Sequence, residues 1–397
     1  MLATIAVLAA AGCTASAQGS AGPGTSEPPS PAATSTATTT EAAHAPQAVI
    51  AVTSPLGSGD FAPSVPVTVT AVGGTLAAVT VTNPEGQAVP GRMSADRRTW
   101  QSTQLLGYDS AYTVVADAVK PDGKRAAVNG SFSTVTPRTL TFASVLPNDD
   151  IPVVGVGQPI SVTFDEDVTD RAAVERRLVV TSTPPVAGSW YWYSDREVHY
   201  RPQDYWPANT HVVLDARIYG VNVGDSIFGQ EDRHIEFDID DSMIASVDND
   251  ELLLRVYQNG QLVKTMPTAM GKPGDETYSG TYVVMDQSLE YTMDSSTYGV
   301  PIDDPDGYRT EVEYASRLSN TGIFVHAAPW SVADQGVRNV SHGCLNVSTD
   351  DAAWFYENFG RGDIVEVSGT GVSMQPDDGF GDWNLSWADW QAGSALT

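Results

Sequence analysis

The sequence predicts a mainly β protein. We expect two immunoglobulin-like β-sandwiches, then a third, mostly β domain with one or two helices, and a tryptophan-rich helical tail. Three observations support this fold class. Short segments that alternate apolar and polar residues recur between residues 49 and 239, separated by Gly, Pro and Asp-Gly turns. The pair Asn259-Gly260 lies between two apolar runs, as in a β-hairpin. The segment 349–359 has the capping residues and first-turn acids typical of a helix.

The first residues, 1–13, have the composition of a secretion signal. Cys13 follows a run of Leu, Ala and Gly and resembles the cysteine of a bacterial lipoprotein signal, where the thiol is lipidated. We therefore expect a protein anchored by lipid at the outer face of the cytoplasmic membrane. An ordinary cleaved signal, with secretion into the cell wall, is the alternative. Lipidation of Cys13 would leave Cys344 as a free thiol, so no disulfide between these two cysteines is expected.

Residues 14–45 are composed mostly of Ala, Ser, Thr, Gly and Pro, with almost no large apolar side chain. Such a segment cannot bury enough surface to offset the entropy lost on ordering. We predict a disordered tether that holds the folded part away from the membrane.

Four further segments follow the tether. The alternating runs divide at a change near residue 137, and neither half contains the paired cysteines of antibody domains. A run from Leu252 opens the third domain, whose closing strand lies near residue 364. Tryptophans at 383, 387 and 390 are spaced as on one face of a helix, which we expect to pack on the third domain. The predicted boundaries are 46–136, 137–243, 244–368 and 369–397.

The charge balance excludes one class of partner. Asp and Glu number 49 against 21 Lys and Arg, giving a formal net charge of −28. Nucleic-acid binding needs clustered Lys and Arg to contact phosphates, so no nucleic-acid partner is expected. No metal or other cofactor is expected either, because His342 and Cys344 lack zinc-like spacing and a fourth ligand is not evident.

The residues most suggestive of chemistry lie in the segment Ser341-His342-Gly343-Cys344-Leu345-Asn346. His326 ends an apolar run upstream. A thiol becomes a strong nucleophile when a neighbouring imidazolium lowers its pKa, and a histidine can also take its proton. We predict Cys344 as nucleophile and His326 as general base. Backbone N–H groups around Gly343 and Cys344 would stabilise an oxyanion.

These residues resemble the L,D-transpeptidase signature of YkuD-type domains. The resemblance extends to four further segments, which are similar to those of mycobacterial and related actinobacterial enzymes with two immunoglobulin-like domains. They are 293–301 (MDSSTYGVP), 307–309 (GYR), 328–331 (APWS) and 381–384 (GDWN).

The resemblance implies a cysteine acyltransferase of peptidoglycan biosynthesis. Such enzymes cleave the bond between meso-diaminopimelate and D-alanine in a tetrapeptide donor stem, and an acceptor stem then forms a 3→3 cross-link. They are also acylated by carbapenem β-lactams. The residues that it implies for catalysis are Cys344, His326, His342 and Gly343. Those implied for substrate binding are Met293, Tyr298, Tyr308, Thr321, Gly322, Ala327, Trp330 and Asn346.

Ala327 departs from the pattern, since many relatives place serine after the histidine. If that position orients His326 through its backbone carbonyl, alanine serves equally well, and this is the arrangement we expect.

Three other functions are compatible with parts of the sequence. An L,D-carboxypeptidase would hydrolyse the same bond, and the sequence does not separate it from the transpeptidase. A non-catalytic wall-binding protein would not need Cys344 and His326. A sortase-like enzyme is suggested only by Arg361, which instead reads as part of a turn before a strand.

Overall fold

The first domain is a β-sandwich whose strands show the two-residue period directly. In the computed structural model, which describes residues 49–52, 56–304 and 307–397, one sheet has the order β1-β2-β5-β4 and the other β3-β6-β7. Tyr112, Val114, Ala116 and Ala118 of β6 are buried, while the residues between them face outward or are half-buried. The strands are β1 Val49–Val52, β2 Thr68–Val72, β3 Thr75–Thr82, β4 Gly91–Met93, β5 Thr99–Ser102, β6 Ala111–Val119 and β7 Arg125–Ser133.

The second domain is also a sandwich, with an aromatic core. Its two four-stranded sheets have the orders β10-β18-β15-β12 and β13-β14-β11-β9, and a small sheet β16-β17-β8 flanks them. Phe164, Trp192, Trp206 and Phe237 fill the space between the sheets. The elements are β8 Thr139–Thr141, β9 Ala143–Leu146, β10 Val153–Val154, β11 Ile160–Phe164, α1 Arg171–Glu175, β12 Leu178–Thr183, β13 Gly188–Trp192, β14 Glu197–Pro202, β15 His211–Ala216, β16 Asn222–Gly224, β17 Ile227–Gly229 and β18 Arg233–Ile239.

The third domain packs two sheets and one long helix. The five-stranded sheet has the order β21-β20-β19-β27-β22 and the four-stranded sheet β23-β24-β25-β26. Helix α2 packs on β24 and β25. The elements are β19 Met243–Asp248, β20 Leu253–Gln258, β21 Gln261–Pro267, β22 Gly280–Val283, β23 Asp286–Asp294, β24 Arg309–Arg317, β25 Phe324–Ala327, β26 Leu345–Val347, α2 Thr349–Asn358, β27 Ile364–Ser368 and α3 Trp387–Ala392.

In this domain the turn and the helix that the local sequence predicts are both present. Asn259 (φ 49°) and Gly260 (φ 77°) join β20 to β21 in the left-handed conformations that a tight hairpin turn requires. The side chain of Ser348 caps α2 by accepting from the Asp351 N–H at 3.2 Å, and the acids Asp350 and Asp351 lie in its first turn. The predicted fold class, mainly β with immunoglobulin-like domains before a mostly β domain, is confirmed.

The tail corrects the sequence prediction in two ways. Its tryptophans do not share one helix, because extended backbone at Leu385 separates a 3₁₀ turn (Gly381–Asn384) from α3. Helix α3 packs on β13 of the second domain, whereas the Gly381–Asn384 turn packs on β22 of the third domain, so the expected packing on the third domain holds for the turn but not for α3. Trp390 is fully buried there and donates from Nε1 to the Ser189 carbonyl at 2.8 Å.

One arginine explains the tryptophan spacing. The Arg201 guanidinium of β14 lies 4.8, 5.5 and 4.5 Å from the ring centres of Trp383, Trp387 and Trp390, respectively. Three aromatic faces around one cation hold the broken tail against the second domain. The segment is also tied to the third domain, since Asn384 Oδ1 accepts from the Thr281 N–H at 2.8 Å. The tail therefore fastens the two domains together.

The predicted signal and tether, residues 1–13 and 14–45, lie outside the described residues, and so does Cys13. Among the residues that the structure describes, no helix is both long and apolar enough to cross a membrane.

Candidate active site

Two parallel strands bring the histidine and the cysteine to the same cavity. β25 pairs with β26, so that His326 lies opposite Asn346, and Cys344 directly precedes β26. Side chains at alternate positions of a strand share a face. His326, Cys344 and Asn346 all line one cavity of about 170 Å³, although His326 and Cys344 are far apart in the sequence.

His326 is held as a neutral base. The residue is 4% exposed, and its Nδ1 lies 2.8 Å from the Ala327 carbonyl oxygen. A carbonyl only accepts hydrogen bonds, so Nδ1 carries the proton and Nε2 has the free lone pair. Burial lowers the pKa of His326 below its ordinary value. Ala327 therefore orients the base through its backbone, as expected from the sequence.

Cys344 is a buried, protonated thiol. It is 8% exposed, and its Sγ donates to the Gly322 carbonyl at 3.5 Å. Burial raises the pKa of the thiol to about 12, and a backbone hydrogen bond from Phe324 offsets only part of this. In this resting arrangement burial dominates the pKa of both groups, and activation of the thiol by His326 stays a prediction.

Gly343 forms the tight turn that precedes Cys344. Its N–H donates to Ser341 Oγ at 3.1 Å, and its carbonyl accepts from Thr277 Oγ1 at 2.6 Å. Its φ of +121° suits only glycine, and an added Cβ would lie 2.7 Å from Ile323 Cδ1. In this resting structure the Gly343 N–H is bound to Ser341, and its oxyanion role stays a prediction.

His342 is exposed and acts as part of the cavity wall. Lys272 Nζ donates to His342 Nε2 at 2.9 Å, and Lys272 also pairs with Asp275 at 3.1 Å. The Tyr308 ring lies 5.0 Å from the His342 ring, centre to centre. These contacts hold the His342 ring next to Cys344, and none of them would make His342 the base.

The predicted substrate-binding residues divide into three groups. The first lines the cavity itself and consists of Met293, Tyr308, Trp330 and Asn346. The second borders it: the Gly322 carbonyl holds the sulfur, and Thr321 faces an adjoining groove, with its N–H bound to Asp378 at 2.9 Å. The third is Ala327, which is buried and faces another groove. The Tyr298 side chain lies outside what the structure describes; its backbone ends a 3₁₀ turn, Ser295–Tyr298.

Sequence reasoning missed three contributors. Ser341 was part of the quoted motif, yet its hydroxyl, which donates to the Cys344 carbonyl at 2.6 Å, was given no role. Lys272 and Thr277 reach the site from 70 and 66 residues away and carry no local signal. In the described part of the chain, no group of three or more His, Cys, Asp or Glu residues is arranged to hold a metal ion.

A buried thiol and an oriented neutral imidazole that line one cavity are the arrangement of a cysteine acyl-transfer enzyme. Comparison with known proteins agrees with this class. The family described as "L,D-transpeptidase catalytic domain" matches residues 242–367, and "Bacterial Ig domain" matches residues 58–222.

Two curated relatives from Mycobacterium tuberculosis match over most of their length. L,D-transpeptidase 2 (strain CDC 1551 / Oshkosh) is 46% identical over 83% of this chain and 81% of the relative. L,D-transpeptidase 5 (strain H37Rv) is 34% identical over 85% of this chain and 75% of the relative. A solved structure of LD transpeptidase LdtMt1 in complex with imipenem is 37% identical, covers 57% of this chain and 98% of that chain, and has a TM-score of 0.51. The chain belongs to the L,D-transpeptidase family.

Proposed function

We propose that this chain cross-links peptidoglycan by cysteine acyl transfer. The donor is a tetrapeptide stem, cleaved between meso-diaminopimelate and the terminal D-alanine, and the product is a 3→3 cross-link. The observation that carries the proposal is the orientation of His326: with Nδ1 bound to Ala327, its basic Nε2 remains for the proton of Cys344 in the shared cavity.

The first half-reaction forms a thioester. His326 Nε2 takes the thiol proton as the sulfur attacks the donor carbonyl, so the charge that burial disfavours on sulfur never has to build up before attack. The Cys344 N–H stabilises the oxyanion of the tetrahedral intermediate. When the intermediate collapses, the carbon–nitrogen bond breaks, and His326 returns its proton to the leaving D-alanine nitrogen.

The second half-reaction transfers the acyl group to an amine. The neutral side-chain amine of a second diaminopimelate attacks the thioester carbonyl. His326 takes a proton from that nitrogen, the carbon–sulfur bond breaks, and the proton passes to the sulfur. The enzyme thus returns to its neutral pair. A carbapenem enters the same path by opening its lactam on Cys344, and imipenem is the ligand in the solved structure of the related LdtMt1.

The test is turnover of a disaccharide-tetrapeptide followed by mass spectrometry. We expect loss of D-alanine together with a dimer, and neither product from the Cys344→Ala variant. D-alanine loss without a dimer would support the L,D-carboxypeptidase instead. Absence of both products from the folded wild-type protein would overturn the enzymatic proposal and favour a wall-binding protein.

We also propose that the protein is held in the cell envelope by lipid on Cys13, at the outer face of the cytoplasmic membrane. The support is sequence alone: a run of small and apolar residues before Cys13 and a tether-like composition after it. Labelling of cells with a fatty-acid probe should mark the wild type and not a Cys13→Ala variant. Equal labelling of both proteins, or none of either, would contradict lipidation.

A further inference from the structure

The loop that joins β24 to β25, residues 318–323, contacts the nucleophile; we call it the nucleophile loop. Its Gly322 carbonyl accepts from the Cys344 thiol at 3.5 Å, and the backbone of Phe324, the first residue of β25, also forms a hydrogen bond with the sulfur. Gly322 presents that carbonyl from a left-handed backbone conformation, with a φ of 93°. The position of the sulfur in the cavity therefore depends on the shape of this loop.

A directed chain of hydrogen bonds runs through the nucleophile loop and ends on a carboxylate. The Ile323 N–H donates to Ser319 Oγ at 3.1 Å, and the hydroxyl oxygens of Ser319 and Thr321 lie 2.9 Å apart. The Thr321 hydroxyl donates to Asp378 Oδ2 at 2.5 Å, and its N–H donates to Oδ1 at 2.9 Å. Because a carboxylate only accepts, the Thr321 proton points to Asp378, and the Ser319 hydroxyl donates to Thr321.

Asp378 belongs to the tail, and the tail is fixed on both sides of it by the second domain. The Asp378 residue is 6% exposed. Two positions earlier, the Pro376 carbonyl accepts from the Tyr193 hydroxyl at 3.1 Å. Four positions later, Asp382 Oδ1 lies 2.7 Å from His199 Nδ1. A buried carboxylate that is held in this way can fix the geometry of the groups that it binds.

We propose that Asp378 is a positioning residue for the nucleophile Cys344 and acts on it through Thr321. The inference rests on the proposed acyl transfer at Cys344. By holding Thr321, the carboxylate fixes the two backbone groups that contact the sulfur, at Gly322 and Phe324. The Phe324 N–H favours the negative charge that develops on the sulfur during attack, because a hydrogen bond to the charged form stabilises it. The positioning therefore affects the rate of acylation and not the binding of the reagent.

Asparagine cannot replace Asp378 in this arrangement, although the two side chains are almost equal in volume. Thr321 presents two donors, its N–H and its hydroxyl, whereas an amide has one accepting oxygen and one NH₂ group. If the amide oxygen accepts from the N–H, the NH₂ group faces the hydroxyl, and the Ser319 proton can no longer point to Thr321. In the other orientation the NH₂ group faces the Thr321 N–H. Either orientation loses a buried hydrogen bond and shifts the nucleophile loop.

The experiment follows carbapenem acylation of the full chain by intact mass at increasing drug concentration. This series separates the binding constant of the drug from the maximal acylation rate. The variants are Asp378→Asn, Thr321→Val, which removes the hydroxyl and keeps the N–H, and the double variant. The matched control is Asp377→Asn, which removes the exposed carboxylate of the preceding residue. The melting temperature of each variant reports its fold.

We expect Asp378→Asn to lower the maximal acylation rate about 10- to 100-fold and Thr321→Val to lower it about 3- to 10-fold. The binding constant of the drug should stay within about twofold of the wild-type value. The double variant should be no slower than Asp378→Asn, because both changes interrupt the same path. Asp377→Asn should behave like the wild type.

Equal maximal rates in the wild type and Asp378→Asn would overturn the positioning role, although the proposed function would stand. Weaker drug binding by Thr321→Val at an unchanged maximal rate would also overturn it, since Thr321 would then contact the drug itself. Losses that multiply in the double variant would exclude the path through Thr321. A wild type that is not acylated would instead remove the proposed function. If Asp378→Asn does not fold, Thr321→Val must still lower the maximal rate, or the positioning role is wrong.

Discussion

A change of pH should affect two reactions of Cys344 in different ways. Because burial raises the thiol pKa to about 12, about one sulfur in 10⁵ is ionised at pH 7, against about 3% for a free cysteine. Iodoacetamide reacts with the thiolate. Its rate of alkylation should therefore rise close to tenfold per pH unit between about pH 6 and 10, and at pH 7 it should be about 10³-fold below that of a free cysteine.

Carbapenem acylation should follow His326 instead. Burial lowers the pKa of this histidine below its ordinary 6.5, so the base is already neutral at pH 7. Acylation should fall only below about pH 6.5, where the ring gains a proton, and should be flat from there to about pH 9. Both rates are read by intact mass on the same protein, with His326→Gln as the control. That variant should keep the alkylation slope and lose about 10²–10⁴ of the acylation rate.

The reasoning would be refuted by fast alkylation at pH 7 that does not change with pH. That result would show a preformed thiolate–imidazolium pair, contrary to the burial of both groups.

Three further predictions concern two neighbours of the site and one buried acid, Asp363, which lies against Gly155 of the second domain. Gly343→Ala should cost about 1–3 kcal/mol of stability in thermal unfolding and should slow carbapenem acylation about 10²-fold. An added Ile323→Val should not restore the rate, because the backbone strain at φ +121° remains. Lys272→Met should slow acylation about 2- to 10-fold by freeing the His342 ring, with unchanged melting as the control; an unchanged rate would contradict the role of this contact. Burial raises the Asp363 pKa to about 8. The folded protein therefore binds more protons than the unfolded chain between about pH 4 and 8. Because of this difference, the free energy of unfolding should fall as the pH rises across that window. Asp363→Asn should flatten that part of the stability profile, and a profile as steep as that of the wild type would contradict the prediction.

The sequence pattern predicted those elements of the fold that are determined by neighbouring residues. The period of two along β6, the Asn259-Gly260 turn and the Ser348 cap each depend on residues next to one another in the chain. The active-site pair was predicted because Cys344 lies in a dense motif and His326 ends a strand.

What sequence reasoning missed depends on distant contacts. Nothing near Lys272 indicates that it reaches His342. The tryptophan spacing predicted one helix face, whereas the three rings gather around Arg201, which lies 182 to 189 residues before them (383 − 201 and 390 − 201). The burial of the thiol could not be predicted either, because it is set by the packing of Met293, Val312 and Phe324 around the sulfur, and sequence alone does not show that packing.

The central claim, that acyl transfer passes through the sulfur of Cys344, is tested most directly by mapping the site of a carbapenem adduct. Protein lacking residues 1–45 is incubated with the drug, weighed intact and digested. We predict one adduct, carried by the peptide that contains Cys344, and no mass increase in a Cys344→Ala variant of unchanged melting temperature. An adduct that persists in that variant would contradict the claim.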